Sequence, residues 1–277
     1  MRHSPNGVSI HPDPQALVSA IAARLITKLV DVQSRRGEAT VVLTGGSVGI
    51  AALEAVTANP ARTAVDWTRV NFWWGDERFL PQGDPELNSL QARQAMLAPL
   101  GVPAERIHAV ATSNEVATVE EAAADYALQL AEAAAAEELA QGFEPVDPRL
   151  PRFDVLLLGV GPDAHIASLF PEMPGVRTVG ATTVAVRDAP KPPPERISLT
   201  LETINTAEEV WLGVAGDDKA GAVGLALAGA GPIQVPAAGA RGRTKTRWLI
   251  DQAAAAQLSR RLLDSEQEHA GTDDDEE

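Results

Sequence analysis

The run Phe153-Asp-Val-Leu-Leu-Leu-Gly-Val-Gly-Pro-Asp-Ala-His-Ile-Ala-Ser-Leu-Phe-Pro171 decides the fold. Its apolar stretch Val155 to Leu158 reads as a buried strand that stops at Gly159 and Gly161 and delivers Asp163 and His165 where a helix would begin. In an open α/β sheet, ligands bind in the crevice beyond the carboxyl ends of the strands, and the ordinary pKa of histidine suits proton transfer near neutrality. Asp163 and His165 are therefore the candidate catalytic pair.

Outward from this run, strands alternate with helices. Leu17, Ile21, Leu25, Leu29 and Val32 recur at near-helical spacing and predict an amphipathic helix over 14–36. A strand over 39–44, a helix over 48–58 with Ser47 as a possible N-cap, a strand over 70–74 and a helix over 86–98 follow. The Ala- and Glu-rich stretch 116–141 predicts a helix stopped by Gly142. Strands are expected at 155–158, 182–186, 196–200, 210–214 and 246–250, with helical stretches near 202–206, 217–229 and 251–263. This alternation predicts one α/β domain over 1–263, a Rossmann-like three-layer arrangement whose mostly parallel sheet is covered by helices on both faces.

With 277 residues, 45% of them hydrophobic, the chain can bury a sizeable core. It has no cysteine, which excludes disulfides and thiolate chemistry. Neither a signal-like apolar segment nor a run long enough to cross a bilayer occurs, so the expectation is a cytoplasmic protein without a membrane partner. Residues 264–277 carry eight carboxylates and no Lys or Arg, which takes the net charge from −15 for the chain to −7 for the body, and they are expected to form a disordered acidic tail. That balance argues against nucleic acid. An anionic ligand would have to be held by a local cluster of cations and backbone N–H groups, because long-range steering would not help it.

Several short patterns compete for such a role. Gly45-Gly-Ser-Val-Gly49 fits a nucleophile elbow, but only one strand precedes Ser47, too few for the centre of a hydrolase sheet. Gly45, Gly46 and Ser47 instead suit close backbone approach and an anion site at a helix start. Gly159-Val-Gly-Pro-Asp-Ala164 fits a dinucleotide fingerprint, yet Pro162 removes a donor where a pyrophosphate would sit. Asp76, Glu77 and Arg78 follow a strand end and are either solvated loop residues or site residues facing the same crevice. Arg187, Lys191 and Arg196 surround a stiff proline segment, which is either a connector or a phosphate clamp, with Lys219 as a surface lysine or its partner. His3, His11, His108 and His269 lack metal-ligand spacing, so neither a metal nor another cofactor is expected.

Thr44-Gly-Gly-Ser47, Trp74-Gly-Asp-Glu-Arg78-Phe-Leu-Pro, Asp84-Pro-Glu-Leu-Asn88, Leu158 to Pro171, Pro190-Lys-Pro-Pro-Pro-Glu-Arg196-Ile and Trp248-Leu-Ile-Asp251 occur in this order, and together they resemble the 6-phosphogluconolactonase family. The resemblance implies a modified Rossmann-like fold shared with glucosamine-6-phosphate deaminases and metal-free hydrolysis of 6-phosphoglucono-δ-lactone in the pentose phosphate pathway. Two positions depart from the family pattern: Ala164 stands where glycine is usual, and Leu87 where serine is usual.

On that resemblance, His165 acts as general base toward water and Asp163 orients its imidazole. Arg78 would face the developing oxyanion or a neighbouring hydroxyl, with Asp76 beside it. Arg196, Lys219 and the turn Gly45, Gly46, Ser47 would hold the 6-phosphate. The expected partner is the sugar-phosphate lactone alone, and the expected state a monomer. The rival readings are an amino-sugar phosphate deaminase, a sugar-phosphate-sensing regulatory domain and, more remotely, a serine esterase using Ser47. Related deaminases carry Asn-Glu where this chain has Leu169-Phe170, and a regulator needs a basic helix-turn-helix module that residues 1–40 do not offer.

Overall fold

A computed structural model describes residues 6–142 and 146–258. Its main sheet has six strands, all parallel: β1 (Asn6–His11), β2 (Ala39–Leu43), β3 (Val70–Trp74), β5 (Val155–Leu158), β8 (Glu209–Val214) and β9 (Lys245–Asp251), in the order β1-β9-β8-β5-β2-β3. From β2 the chain steps outward to β3, then returns to the other side of β2 as β5 and continues through β8 to β9. The order therefore reverses between β2 and β5, and a crevice opens beyond their carboxyl ends.

All residues of β2 and β5 are buried, because helices cover both faces. Val41, Leu43, Val155 and Leu157 meet α1 (Pro14–Arg36), α2 (Gly46–Ala58) and α3 (Asn88–Ala92); Val42, Leu156 and Leu158 face α4 (Val119–Gln141) and α5 (Ala220–Leu227). The stripe that predicts α1 is the one it buries, at about 1.5–3 kcal/mol for each large side chain. Asp13 Oδ1 accepts from Ala16 N at 2.8 Å to start the helix, and left-handed Gly37 ends it. Gly142 ends α4 in the same way.

Four expectations need correction. The strands near 182–186 and 196–200 do not join the parallel sheet: β6 (Thr183–Val186) and β7 (Arg196–Leu199) pair antiparallel, and β7 pairs with β4 (Asp76–Arg78) in a separate three-stranded sheet. Gly75 joins the two sheets, its N–H donating to Leu43 O and its carbonyl accepting from Leu199 N, both at 2.9 Å. Ser47 is not an N-cap, since α2 begins at Gly46 with Gly45 before it. The helix expected over 86–98 is α3 running into a π-helical turn over 93–97. Residues 252–257 form turns after β9 instead of starting a helix, while 259–263 and the acidic tail 264–277 lie outside the described residues, as do His3 and His269.

α4 also fixes the end of β3. The Tyr126 hydroxyl accepts from Trp74 N at 2.8 Å and donates to Trp74 O at 3.0 Å, holding the strand just before it crosses into β4. The chain thus enters the crevice from a fixed point.

Candidate active site

The crevice holds a cavity of about 320 Å³, lined by the turn after β2, the start of α2, β4, the loop after β5, the proline segment 191–192 and Lys219. Of the sequence-predicted residues, Gly45, Gly46, Ser47, Asp76, Arg78, His165, Arg196 and Lys219 all line it. Asp163 stands behind His165, with Oδ1 2.5 Å from Nδ1. That contact assigns Nδ1 as the donor and leaves Nε2 as the basic nitrogen.

The loop after β5 folds tightly to make this pair. Gly161 N donates to His165 O and Ala164 N to Gly161 O, both at 2.9 Å, so the imidazole lies back over Gly161. A Cβ at 161 would stand 2.1 Å from His165 Nδ1 and Cε1, which is why glycine is required. The Phe170 ring packs against the imidazole, its centroid 4.6 Å from that of His165. Ala164 adopts φ 67°, the left-handed conformation that glycine takes more readily, so its departure from the family pattern carries backbone strain of about 1 kcal/mol. The pair forms nonetheless.

Burial pushes the Asp163 carboxyl upward, but the His165 hydrogen bond and the charges of His165 and Lys191 outweigh it and bring the group down to about 2. Lys191 Nζ lies 3.6 Å from Asp163 Oδ1. The geometry separates the three cations Arg78, Arg187 and Lys191: Arg78 and Lys191 line the cavity, whereas Arg187 is paired with Glu120 and Glu195 at the surface.

Arg196 is more than a cavity cation. Its Nε donates to Pro193 O at 3.0 Å, and Nη2 to Lys191 O at 3.1 Å and Pro192 O at 3.0 Å. Burial lowers its pKa from the usual guanidinium value, yet it remains charged. The sequence reading missed this structural duty, which only a folded proline segment reveals.

Asp76 accepts from Ser168 Oγ at 2.7 Å and so ties β4 to the His165 loop. Glu77, expected with Asp76 and Arg78, turns away from the cavity into the protein and receives the N–H groups of Arg78, Asn88 and Ser89 at 2.7–2.9 Å. Its carboxylate caps α3 where Leu87 supplies no hydroxyl. Asn88 is a cavity residue whose contribution the sequence did not define: Nδ2 donates to Asp76 O at 2.9 Å, and Oδ1 lies against Gly45, where a Cβ would stand 1.9 Å from it. His108 has a packing role, stacked on Trp73 with centroids 4.2 Å apart.

The sequence profile described as glucosamine-6-phosphate isomerases/6-phosphogluconolactonase matches residues 12–248. The chain belongs to this family. A 6-phosphogluconolactonase of Streptomyces coelicolor is 56% identical over 255 residues, covering 91% of this chain and 95% of the relative. One from Mycobacterium tuberculosis is 45% identical over the same length, covering 91% and 98%. Among solved structures, 6-phosphogluconolactonase from Trypanosoma brucei has a TM-score of 0.78 at 23% identity, over 92% of this chain and all of that one. A monomeric glucosamine-6-phosphate deaminase has a TM-score of 0.70 at 17% identity, over 91% and 99%. At these identities the structural matches establish the Rossmann-like α/β fold of the family, which lactonases and deaminases share.

Proposed function

We infer that this chain hydrolyses 6-phosphoglucono-δ-lactone to 6-phosphogluconate, a step of the pentose phosphate pathway. The observation that carries the reading is 56% identity to a 6-phosphogluconolactonase across nearly the whole of both chains. The site supports it with a hydrogen-bonded His165–Asp163 pair beside a cationic cavity.

In the reaction, water attacks the lactone carbonyl carbon as His165 Nε2 takes its proton. The C–O bond to the ring oxygen then breaks, and the imidazolium returns the proton to that oxygen, opening the ring to an acid that ionises in solution. Asp163 holds the tautomer and balances the imidazolium. Arg78 is assigned to the oxyanion and Asp76 to a sugar hydroxyl as its acceptor, both lining the cavity. The 6-phosphate is assigned to the Gly45, Gly46, Ser47 turn, Arg196 and Lys219, where the first turn of α2 lines the cavity.

The deaminase reading is less well supported. Phe170 is buried against the His165 ring, so no carboxyl stands there to assist sugar ring opening. The test is a coupled assay with freshly generated lactone, corrected for spontaneous opening. His165→Ala should lower kcat by about 10²- to 10⁴-fold with KM little changed. Intact turnover in that variant would end the proposed mechanism, and ammonia release from glucosamine-6-phosphate would replace the function.

Among the described residues, no helix is long and apolar enough to cross a membrane. The reading includes a monomer in the cytoplasm, which sedimentation and cell fractionation test directly.

A further inference from the structure

Lys191 and Arg196 stand in an arrangement that substrate binding alone does not require. The Arg196 guanidinium is buried and spends Nε and Nη2 on three successive carbonyls, those of Lys191, Pro192 and Pro193. Its guanidinium carbon lies over the Phe170 ring, 5.8 Å from the centroid. Phe170 in turn lies against the imidazole. The segment held this way carries the Lys191 ammonium to the same Asp163 oxygen that receives His165 Nδ1.

We propose that Arg196 and Lys191 are positioning residues for the catalytic pair: Arg196 fixes the 191–193 turn, and that turn sets the Lys191 cation against the Asp163 carboxylate, where it weakens the pull of Asp163 on a charge at His165. This rests on the lactonase reading for its purpose, but its geometry is independent of substrate. An aspartate 2.5 Å from an imidazole favours imidazolium, which is useless as a base. A second cation on the carboxylate draws off part of that field and repels a charge on the ring. Asp163 can then orient the histidine while exerting a weaker pull on a proton at Nε2. The other charged groups of the cavity are Asp76 and Arg78 on β4, Arg196 on β7 and Lys219 with its partner Asp218; none of them forms an ion pair with Asp163 or His165 among the described residues.

The sign follows from removal of the cation. In Lys191→Met the imidazolium loses a repulsive neighbour, so the His165 midpoint should rise, by on the order of 0.5–1 pH unit. NMR titration of the His165 ring protons in substrate-free protein reads it directly, and the acid limb of kcat/KM should move to higher pH by the same amount. Lys191→Arg, which keeps the charge, should restore the midpoint. Arg196→Lys retains a cation without the fork that grips three carbonyls, and should shift the midpoint the same way by a smaller amount.

A rise in KM for Lys191→Met with an unmoved His165 midpoint would make Lys191 a substrate ligand only and overturn the proposal. If the midpoint moves while the wild-type protein fails to hydrolyse the lactone, the positioning role stands and the functional reading falls.

Discussion

His165 is confined on three sides: Asp163 holds Nδ1, Gly161 supports one face of the ring and Phe170 lies beside it. A methyl at 161 cannot be absorbed by a flexible side-chain end, because it meets the ring itself and Asp163 Oδ1 at 2.5 Å. Gly161→Ala should therefore displace the pair and lower kcat by about 10²-fold or more while leaving KM within a few-fold, since misplacing a base by about 1 Å costs that much. Steady-state kinetics on a variant whose thermal unfolding is unchanged checks it; wild-type kcat would show that the ring has room to spare. The sequence made Asp163 and His165 legible because a glycine-bounded strand end is a local signal. Gly161 was visible as a residue but not as a contact, since the folding back of the loop depends on hydrogen bonds that span 161–165. The departure at Ala164 was legible as a residue, but the left-handed conformation that makes it strained is visible only in the folded loop.

At the scale of elements, the cavity is assembled from loops that restrain one another. Asn88, at the start of α3, connects β4 to the turn after β2 by donating to Asp76 O and filling the space beside Gly45. Gly45→Ala should push that turn away and raise KM about tenfold, whereas in an Asn88→Ala background the same change should cost much less. The coupling expected for touching residues is about 0.5–3 kcal/mol in a double-mutant cycle. Additive effects would mean the two loops are independent. The long strands and α1, α2 and α4 were legible because their apolar periodicity persists over several turns or pleats. The small antiparallel sheet was not. β4 is three residues long, and β6 and β7 read as ordinary strands because their pairing partners are set by tertiary contacts, not by local pattern. β1 was missed for a related reason: it precedes the first helix, and its ladder partner among the described residues is β9, far along the sequence.

For the whole molecule, charge opposes the proposed substrate at long range and favours it at short range. The chain carries −15, of which residues 264–277 supply eight carboxylates, yet Arg78, Lys191, Arg196 and Lys219 converge on one cavity. A doubly charged phosphate ester should approach without electrostatic acceleration, so kcat/KM should change by less than about threefold between 10 and 150 mM salt, where the screening length falls from about 30 to 8 Å. Removing residues 264–277 should raise kcat/KM modestly at low salt and have no effect at high salt. A steep fall in kcat/KM with salt would reveal a steering field that the charge distribution does not predict. The acidic body was legible from composition alone; the convergence of the cations was legible only in part, since Arg187 shares their sequence neighbourhood and faces elsewhere.

Gly75 gives the chain a seam with no slack. One continuous stretch, Val70 to Arg78, serves first one ladder and then another, and the glycine between them is bonded to both. The three-stranded flap bearing Arg78 and Arg196 cannot swing aside without breaking the larger sheet along its β2–β3 edge. The molecule is thus built to meet its ligand as a finished mould rather than as a closing jaw, and whatever gating occurs must come from side chains and the short turns around the rim.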